Sequence, residues 1–458
     1  MGEFTVQDQH VVVVGAARSG VAAAELLVSR GARVTLSDPR ESFDEADRLR
    51  RAGVALDLGG HSAEVFATAD LIVLSPGVPA DLPVLDAARQ RGVPVIGELE
   101  LAWRWLKGRV IAITGTKGKS TTTTLTGRML QAAGLPAVVG GNIGSALSAQ
   151  VDASTPETLH VVEVSSFQLE TADTFHPWIA VLMNLSADHL DRHGTLEAYG
   201  SAKARIFAHQ SADDWAVVNA DDEGAVRLAR GQRAKRFDFS RQGAIEEGIV
   251  VDGAHVVRRS PSGAETLMPL SSIRLIGPHL VDDVLAAAAV GSLVGVPPDA
   301  MRRAIEEFHG LEHALEPAGE AGGVRFVNDS KATNVEAARR ALESFERGVV
   351  AIIGGRFKGG DLRDLRGALR GRVAAVVAIG EAKDQVRQAL GDLVPVHDAT
   401  TMRDAVQSAF AAAEPGGVVL LAPACASFDM FRDYAERGRT FKEEVRRLTE
   451  EWNTTREQ

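Results

Sequence analysis

Short runs of β-branched and other apolar residues alternate with longer Ala-, Leu- and Arg-rich stretches of helical character along almost the whole chain. That alternation predicts parallel sheets flanked by helices, because a strand covered on both faces reads as an unbroken apolar run. The first unit is His10-Val-Val-Val-Val-Gly15, then a helix reaching Arg30, then a strand over residues 32–36. Further strands of the same sheet are expected at residues 71–74 and 93–96, and a Trp-containing segment, 98–107, closes the region. A second region has strands near residues 110–113, 159–164, 178–185 and 215–219, with a helix over 120–133 after the first. Between residues 234 and 278 the runs shorten around Asp252-Gly253 and Ser262-Gly263, which predicts a small antiparallel addition. A helical pair over 281–308 leads to a third α/β region with strands at 324–327, 349–353, 373–379 and 418–421. A charged amphipathic helix, 440–452, ends the pattern.

At 458 residues the chain is too long for one core, and three domains are expected, divided at 1–106, 107–311 and 312–458. With 45% hydrophobic residues each can bury a core of its own. The net charge of −11, with no basic block, argues against nucleic acid or an anionic membrane as partner. The apolar runs fall far short of the about 20 residues of a membrane span, and Met1 to His10 is polar, unlike a secretory leader. A single cysteine, Cys425, fits a reducing compartment. A soluble cytoplasmic enzyme, monomeric and with no nucleic-acid or membrane partner, is the expectation.

The most informative chemistry is Ile111-Ala-Ile-Thr-Gly-Thr-Lys-Gly-Lys-Ser-Thr121. A buried strand breaking into glycines and then a helix N-terminus gathers backbone N–H groups around one point, as a polyphosphate requires. Gly115, Thr116, Lys117, Gly118, Lys119, Ser120 and Thr121 are the candidate ATP contacts. Lys119 is placed to reach the outer phosphates, and Ser120 or Thr121 to offer a hydroxyl to Mg²⁺. The motif is shorter than the full P-loop pattern, since Ile113 stands where a first glycine is usual.

Other polar groups sit at the ends of apolar strands. Gly15-Ala-Ala-Arg-Ser-Gly20 resembles the Rossmann turn G-x-G-x-x-G with alanine at the middle glycine. With Asp38 closing the next strand it is a weak signal for NAD, and the diphosphate of another nucleotide would use the same helix N-terminus. Ser75-Pro-Gly77 is either a plain turn or a ligand contact at the same edge. Glu163 alternates with apolar neighbours, so it is a costly buried charge or a metal ligand. Ser165, Ser166 and Gln168 behind it are ligand groups or helix caps. His189 is a candidate metal ligand or base, and Lys203, by its neighbours alone, reads as an exposed helical lysine. The third region carries Asn328-Asp-Ser-Lys-Ala-Thr-Asn334, Gly354-Gly-Arg-Phe-Lys-Gly-Gly360 and Pro423-Ala-Cys-Ala-Ser-Phe-Asp-Met-Phe431, each after a strand. Cys425 lacks a nearby base and reads as packing.

Together these segments resemble the Mur ligases of bacterial peptidoglycan synthesis. Thr114-Gly-Thr-Lys-Gly-Lys-Ser120 looks like the family's ATP loop, while Ser165-Ser-Phe-Gln-Leu-Glu170, Asn328-Asp-Ser-Lys-Ala-Thr-Asn334 and Pro423-Ala-Cys-Ala-Ser427 look like signatures of its D-glutamate-adding member. The resemblance implies a Rossmann-like domain for a UDP substrate, a central P-loop-type mononucleotide-binding ATPase domain, and a Rossmann-like ligase domain for the amino acid. It implies ATP and Mg²⁺ as cofactors, and UDP-N-acetylmuramoyl-L-alanine and D-glutamate as substrates, joined through an acyl phosphate. Lys119, Glu163, His189 and Lys203 would be catalytic. Ser120, Thr121 and Glu163 would hold one Mg²⁺, and His189 with a carbamylated Lys203 a second. Ser19, Asp38, Asn142, Ser165 and Gln168 would contact the UDP substrate; Lys331, Thr333, Lys358, Ser427 and Phe431 would contact D-glutamate.

Two segments depart from the family pattern. Gly277-Pro-His-Leu-Val-Asp-Asp283 has Leu280 and Asp283 where amides are usual, and His313-Ala-Leu-Glu316 has Ala314 where arginine is usual. Both segments face adenosine in the family, so weakened ATP binding is expected. A folylpolyglutamate-type ligase leaves the UDP-like domain unexplained, and a dehydrogenase has no use for Lys119, Glu163 or Lys203. A non-catalytic nucleotide sensor is the alternative outside the ligases.

Overall fold

The computed structural model describes residues 4–243, 245–274 and 279–456. Two compact units divide the chain: one holds the described residues up to Ile273 with His279–Glu307, the other Arg274 and the described residues from Phe308 onward.

The first unit contains two parallel sheets. In the N-terminal one, five strands run in the order Ala55–Leu58, Arg33–Asp38, His10–Val14, Leu71–Leu74, Val95–Gly97. Val11 and Val13 enter one apolar cluster and Val12 and Val14 another, so both faces of the central strand are covered. The unbroken apolar run is the direct consequence of that two-sided burial. Successive strands are added to one side of His10–Val14 and then, from Leu71–Leu74, to the other, so the topological switch point lies at the carboxyl ends of these two parallel strands.

The second sheet has six strands, ordered Lys235–Arg236, Trp215–Val218, Ile179–Leu182, Arg109–Thr114, Leu159–Glu163, Ala137–Gly141, again all parallel. Its switch point lies between Arg109–Thr114 and Leu159–Glu163, so the Gly-rich loop and the Glu163 segment leave the same edge. The helix after the first of these is Lys119–Ala132, and the predicted helical pair is His279–Val294 with Pro298–Glu306.

The small addition is a four-stranded sheet, Asp238–Ser240, Gly248–Asp252, His255–Ser260 and Gly263–Pro269. It corrects the antiparallel expectation in one place: Asp238–Ser240 pairs in parallel with Gly248–Asp252, and only the two later pairings are antiparallel hairpins. A tight turn can join only antiparallel neighbours, and the two Gly turns serve those hairpins.

The second unit has one six-stranded sheet, ordered Glu316–Ala321, Val324–Asn328, Val418–Leu421, Val349–Gly354, Val373–Ile379, Val396–Asp398, with only the first strand antiparallel. Val349, Ala351 and Ile353 pack on one face, and Val350 and Ile352 on the other. The charged C-terminal helix is longer than expected, Tyr434–Arg456, and buries Phe441 and Val445 against the second face. The three central strands all end at one edge, where the three polar loops of the third region begin.

Candidate functional site

In the first unit the site grows from the loop after Arg109–Thr114. Gly115 has φ 153° and Gly118 has φ 82°, where a side chain is strained. A β carbon on Gly115 would lie 2.7 Å from Met183 Cβ, and one on Gly118 would collide with Asp283 Oδ1. Asn184 clamps the loop: its Oδ1 accepts from Thr116 N at 3.1 Å and Lys117 N at 2.9 Å, and its Nδ2 donates to Lys117 O at 3.1 Å. Lys117 pairs with Asp188 at 3.1 Å. Lys119 Nζ folds back to donate to Gly115 O and Thr116 O at 3.0 and 2.9 Å.

Lys203 reaches the same carbonyl, donating from Nζ to Gly115 O at 2.7 Å. It is 1% exposed, which overturns the reading of an exposed helical lysine. Its ammonium sits 4.5 Å from the Tyr199 ring centroid. Burial first, and the Lys119 charge second, push its pKa down to about 6, so the neutral amine is readily available at physiological pH.

Glu163 ends its strand 2% exposed. Its Oε1 accepts from Asn142 Nδ2 at 2.7 Å, and its Oε2 is buried with no hydrogen-bond partner among the described residues. An orphaned buried carboxylate oxygen beside a phosphate loop fits a cation. Ser120 and Thr121 stand half-buried in the first turn of Lys119–Ala132. Asp283 is buried against the same turn, and burial raises its carboxyl well above the usual range while the Thr122 and Thr121 hydroxyls oppose that rise. Of the departing segment, Gly277 and Pro278 lie outside the described residues.

His189 is exposed and takes a left-handed conformation, φ 52°, at the start of the short helix Leu190–His193. Its ring lies 4.9 Å from Phe167 and 6.2 Å from Tyr199, the ring that also carries Lys203. Among the described residues no three His, Cys, Asp or Glu side chains form a ready-made metal cage. Mg²⁺ seldom uses one, since it is bound by one or two carboxylates together with substrate phosphates and water.

Ser165 and Gln168 are helix caps: Ser165 Oγ accepts from Gln168 N at 3.2 Å and Ser165 N donates to Gln168 Oε1 at 2.9 Å, a capping box. Gln168 Nε2 is nevertheless buried without a partner among the described residues, which leaves a donor for a ligand. Groups that the sequence does not mark individually gather on the neighbouring residues of the same short helix. His193 lies between Ser166 Oγ, 3.0 Å away, and Glu170, 3.2 Å away, and Arg192 pairs with Glu170 at 2.8 Å. The polar run after strand Ile179–Leu182 was the available signal for Asn184 and Asp188; nothing local marks Tyr199.

At the N-terminal sheet, Asp38 Oδ2 accepts from Ala16 N at 2.6 Å, and Arg40 pairs with its carboxylate at 2.8 Å. Burial raises the Asp38 pKa, but the Arg40 and backbone hydrogen bonds outweigh it and bring it to about 2. Ser19 is half-buried in the first turn of Arg18–Ser29, a helix whose N-terminus has no side-chain cap. Ser75 Oγ donates to Gly15 O at 2.9 Å, so this second turn braces the first.

In the second unit Ala424 N donates to Ala332 O at 3.0 Å, while Arg356 and Ala426 exchange backbone bonds of 2.9 and 3.0 Å, joining the three polar loops. Lys331 is exposed, Thr333 half-buried and Ser427 buried. Lys358 Nζ lies 4.7 Å from the ring of Phe428, which is 55% exposed. Phe431 instead packs half-buried against the cluster containing Leu421 and Phe441. Cys425 is fully buried, and burial lifts its thiol pKa to about 12, as packing requires. His313 and Leu315 both have positive φ, 65° and 46°, and His313 Nδ1 meets Asn328 Nδ2 at 2.9 Å.

Three family descriptions match the chain in order: "Mur ligase MurD-like, N-terminal domain" over residues 9–97, "Mur ligase middle domain" over 113–291, and "Mur ligase, glutamate ligase domain" over 315–425. The UDP-N-acetylmuramoylalanine--D-glutamate ligase of Acidobacterium capsulatum is 48% identical over 445 residues, 96% of either chain. That of Koribacter versatilis is 44% identical, covering 97% of this chain and 99% of its own. Among solved structures, UDP-N-acetylmuramate-alanine ligase MurC from Thermotoga maritima superposes with a TM-score of 0.60 at 21% identity, over 96% of this chain and 100% of that one. MurF ligase from the same organism, in complex with ADP, gives 0.58 at 16%, over 97% and 96%. These two show the shared three-domain fold, and the sequence matches show the descent: the chain belongs to the Mur ligase family.

Proposed function

We propose that this protein joins D-glutamate to UDP-N-acetylmuramoyl-L-alanine, with ATP cleaved to ADP and phosphate. The observation that carries this reading is full-length identity of 44–48% to relatives named for that reaction. The convergence of Lys119, Lys203 and Glu163 on one phosphate loop supports it.

The loop N–H groups and Lys119 hold the ATP phosphates while the substrate carboxylate attacks the γ-phosphorus, giving an acyl phosphate and ADP. The amine of D-glutamate then attacks the acyl carbon, and the tetrahedral adduct collapses to an amide and phosphate. Charge accumulates on phosphoryl and acyl oxygens in both steps, so fixed cations stabilise them more than the reactants. Mg²⁺, held by Glu163 with Ser120 or Thr121 and by His189 with Lys203, would supply further charge neutralisation at those oxygens. For Lys203 to take that role its neutral amine adds CO₂ and loses a proton, becoming an anionic carbamate. Ser19 and Asp38 are assigned to the uridine diphosphate end, Asn142, Ser165 and Gln168 to the muramoyl-alanine end. Lys331, Thr333, Lys358, Ser427 and Phe431 are assigned to D-glutamate.

Phosphate release from ATP in the presence of UDP-N-acetylmuramoyl-L-alanine tests the assignment, comparing D-glutamate, L-glutamate and no amino acid. Release is expected only with D-glutamate. Release independent of it would overturn the substrate, and tight ATP binding without turnover would point to a nucleotide sensor.

A further inference from the structure

Arg437 is the bulkiest of the fully buried side chains, 1% exposed, and it hangs inward from the start of the helix Tyr434–Arg456. Its guanidinium lies beneath the loops that leave the central strands of the second unit. Nε donates to Ser330 Oγ at 3.0 Å, Nη2 to Ser330 O at 2.8 Å, and Nη1 to Cys425 O at 3.1 Å. Ser330 Oγ in turn donates to Tyr434 O at 2.7 Å, which ties the first loop to the helix carrying Arg437. The third loop comes as close: a β carbon on Gly355 would stand 3.2 Å from Nη1 and collide with Ala426 O. One side chain thus touches or abuts all three loops.

Those contacts satisfy hydrogen bonds but do not neutralise charge. Arg437 forms no ion pair among the described residues. Asp429, whose charge it feels, spends one oxygen on Glu381 N at 2.9 Å and keeps the other buried and, among the described residues, unpartnered. Burial lowers the guanidinium pKa only to about 10, so the group stays cationic at neutral pH. A buried cation that no carboxylate among the described residues contacts directly is a costly placement, and neutral donors would serve a mere brace as well. Costly buried charge of this kind concentrates where a ligand compensates it. Ser330 is next to Lys331, and Cys425 is two residues before Ser427.

We propose that Arg437 is the positioning residue of the amino-acid site, holding the three loops in register and leaving beneath them a positive charge that a dicarboxylate amino acid neutralises on binding. The inference rests on the reading that these loops take D-glutamate. It is tested on the full-length protein by steady-state kinetics of Arg437→Gln, which keeps donors without charge, Arg437→Lys, which keeps charge with fewer fixed donors, and Ser427→Ala. Expected for Arg437→Gln is a KM for D-glutamate raised at least about ten-fold, with the KM values for ATP and UDP-N-acetylmuramoyl-L-alanine within about two-fold of the parent. Arg437→Lys should recover part of the loss. Should Arg437→Gln fail to fold, Arg437→Lys carries the reading alone, with a selective rise in the D-glutamate KM of about five-fold. A D-glutamate KM unchanged in the folded variants, or all three KM values rising together, overturns the proposal. The control separates the two failures. If Ser427→Ala raises the D-glutamate KM and Arg437→Gln does not, only Arg437 is wrong; if neither does, the amino-acid site itself is misplaced.

Discussion

At the scale of single residues, burial overrules what neighbours in sequence suggest. Lys203 sits in a polar stretch that reads as a solvated helix face, yet it is buried over Tyr199 and bonded to Gly115 O, 88 positions away. No local pattern encodes such a contact, and only the family resemblance singled the residue out. Lys203→Ala is expected to lose nearly all ligase activity, and protein equilibrated with ¹³C-bicarbonate should show a carbamate carbon signal that the variant lacks. A fully active variant would remove the carbamate from the mechanism. Asp329 offers a test in the second unit. Its carboxyl is buried, and burial raises its pKa to about 7 even though it accepts from Leu315 N at 3.1 Å. With the folded value above the unfolded one, its contribution to stability is complete below about pH 4 and lost as pH rises through 7. Asp329→Asn keeps the acceptor and cannot ionise, so it should be more stable than the parent at pH 8 by on the order of 1–3 kcal/mol. Urea unfolding at the two pH values checks this, and the difference should vanish near pH 4.

At the scale of elements, the strands buried on both faces were legible. Residues 373–379 and 418–421 match the observed strands to the residue, because continuous apolar runs of that length have few other uses. The edge strands were not. Ala55–Leu58, Glu316–Ala321 and Val396–Asp398 are partly exposed, carry polar residues and owe their extension to pairing with a neighbour. The parallel pairing of Asp238–Ser240 was hidden for the same reason, since partner choice is tertiary. In the phosphate loop, by contrast, local chemistry dictates geometry. Gly118 combines positive φ with contact to Asp283, so Gly118→Ala should distort the start of Lys119–Ala132. An ATP affinity lowered at least about ten-fold is expected, with a melting temperature reduced by a few degrees; calorimetric titration and thermal melting measure the two effects.

At the scale of the whole molecule, the apolar clusters on both faces of the C-terminal sheet lie entirely within the second unit. A fragment of residues 308–458 is therefore expected to fold alone with one cooperative transition, and without ligase activity; a non-cooperative melt by circular dichroism would contradict it. The lone cysteine bears on how such a protein can be studied. A sheltered thiol with its pKa near 12 presents almost no thiolate to an electrophile. A chromogenic disulfide reagent should count no reactive thiol in the native protein and one after denaturation in guanidinium. The natural chain then behaves as though it were cysteine-free, and a dye or spin label attached through one new surface cysteine in either unit would report on that unit's own ligand without replacing any native residue.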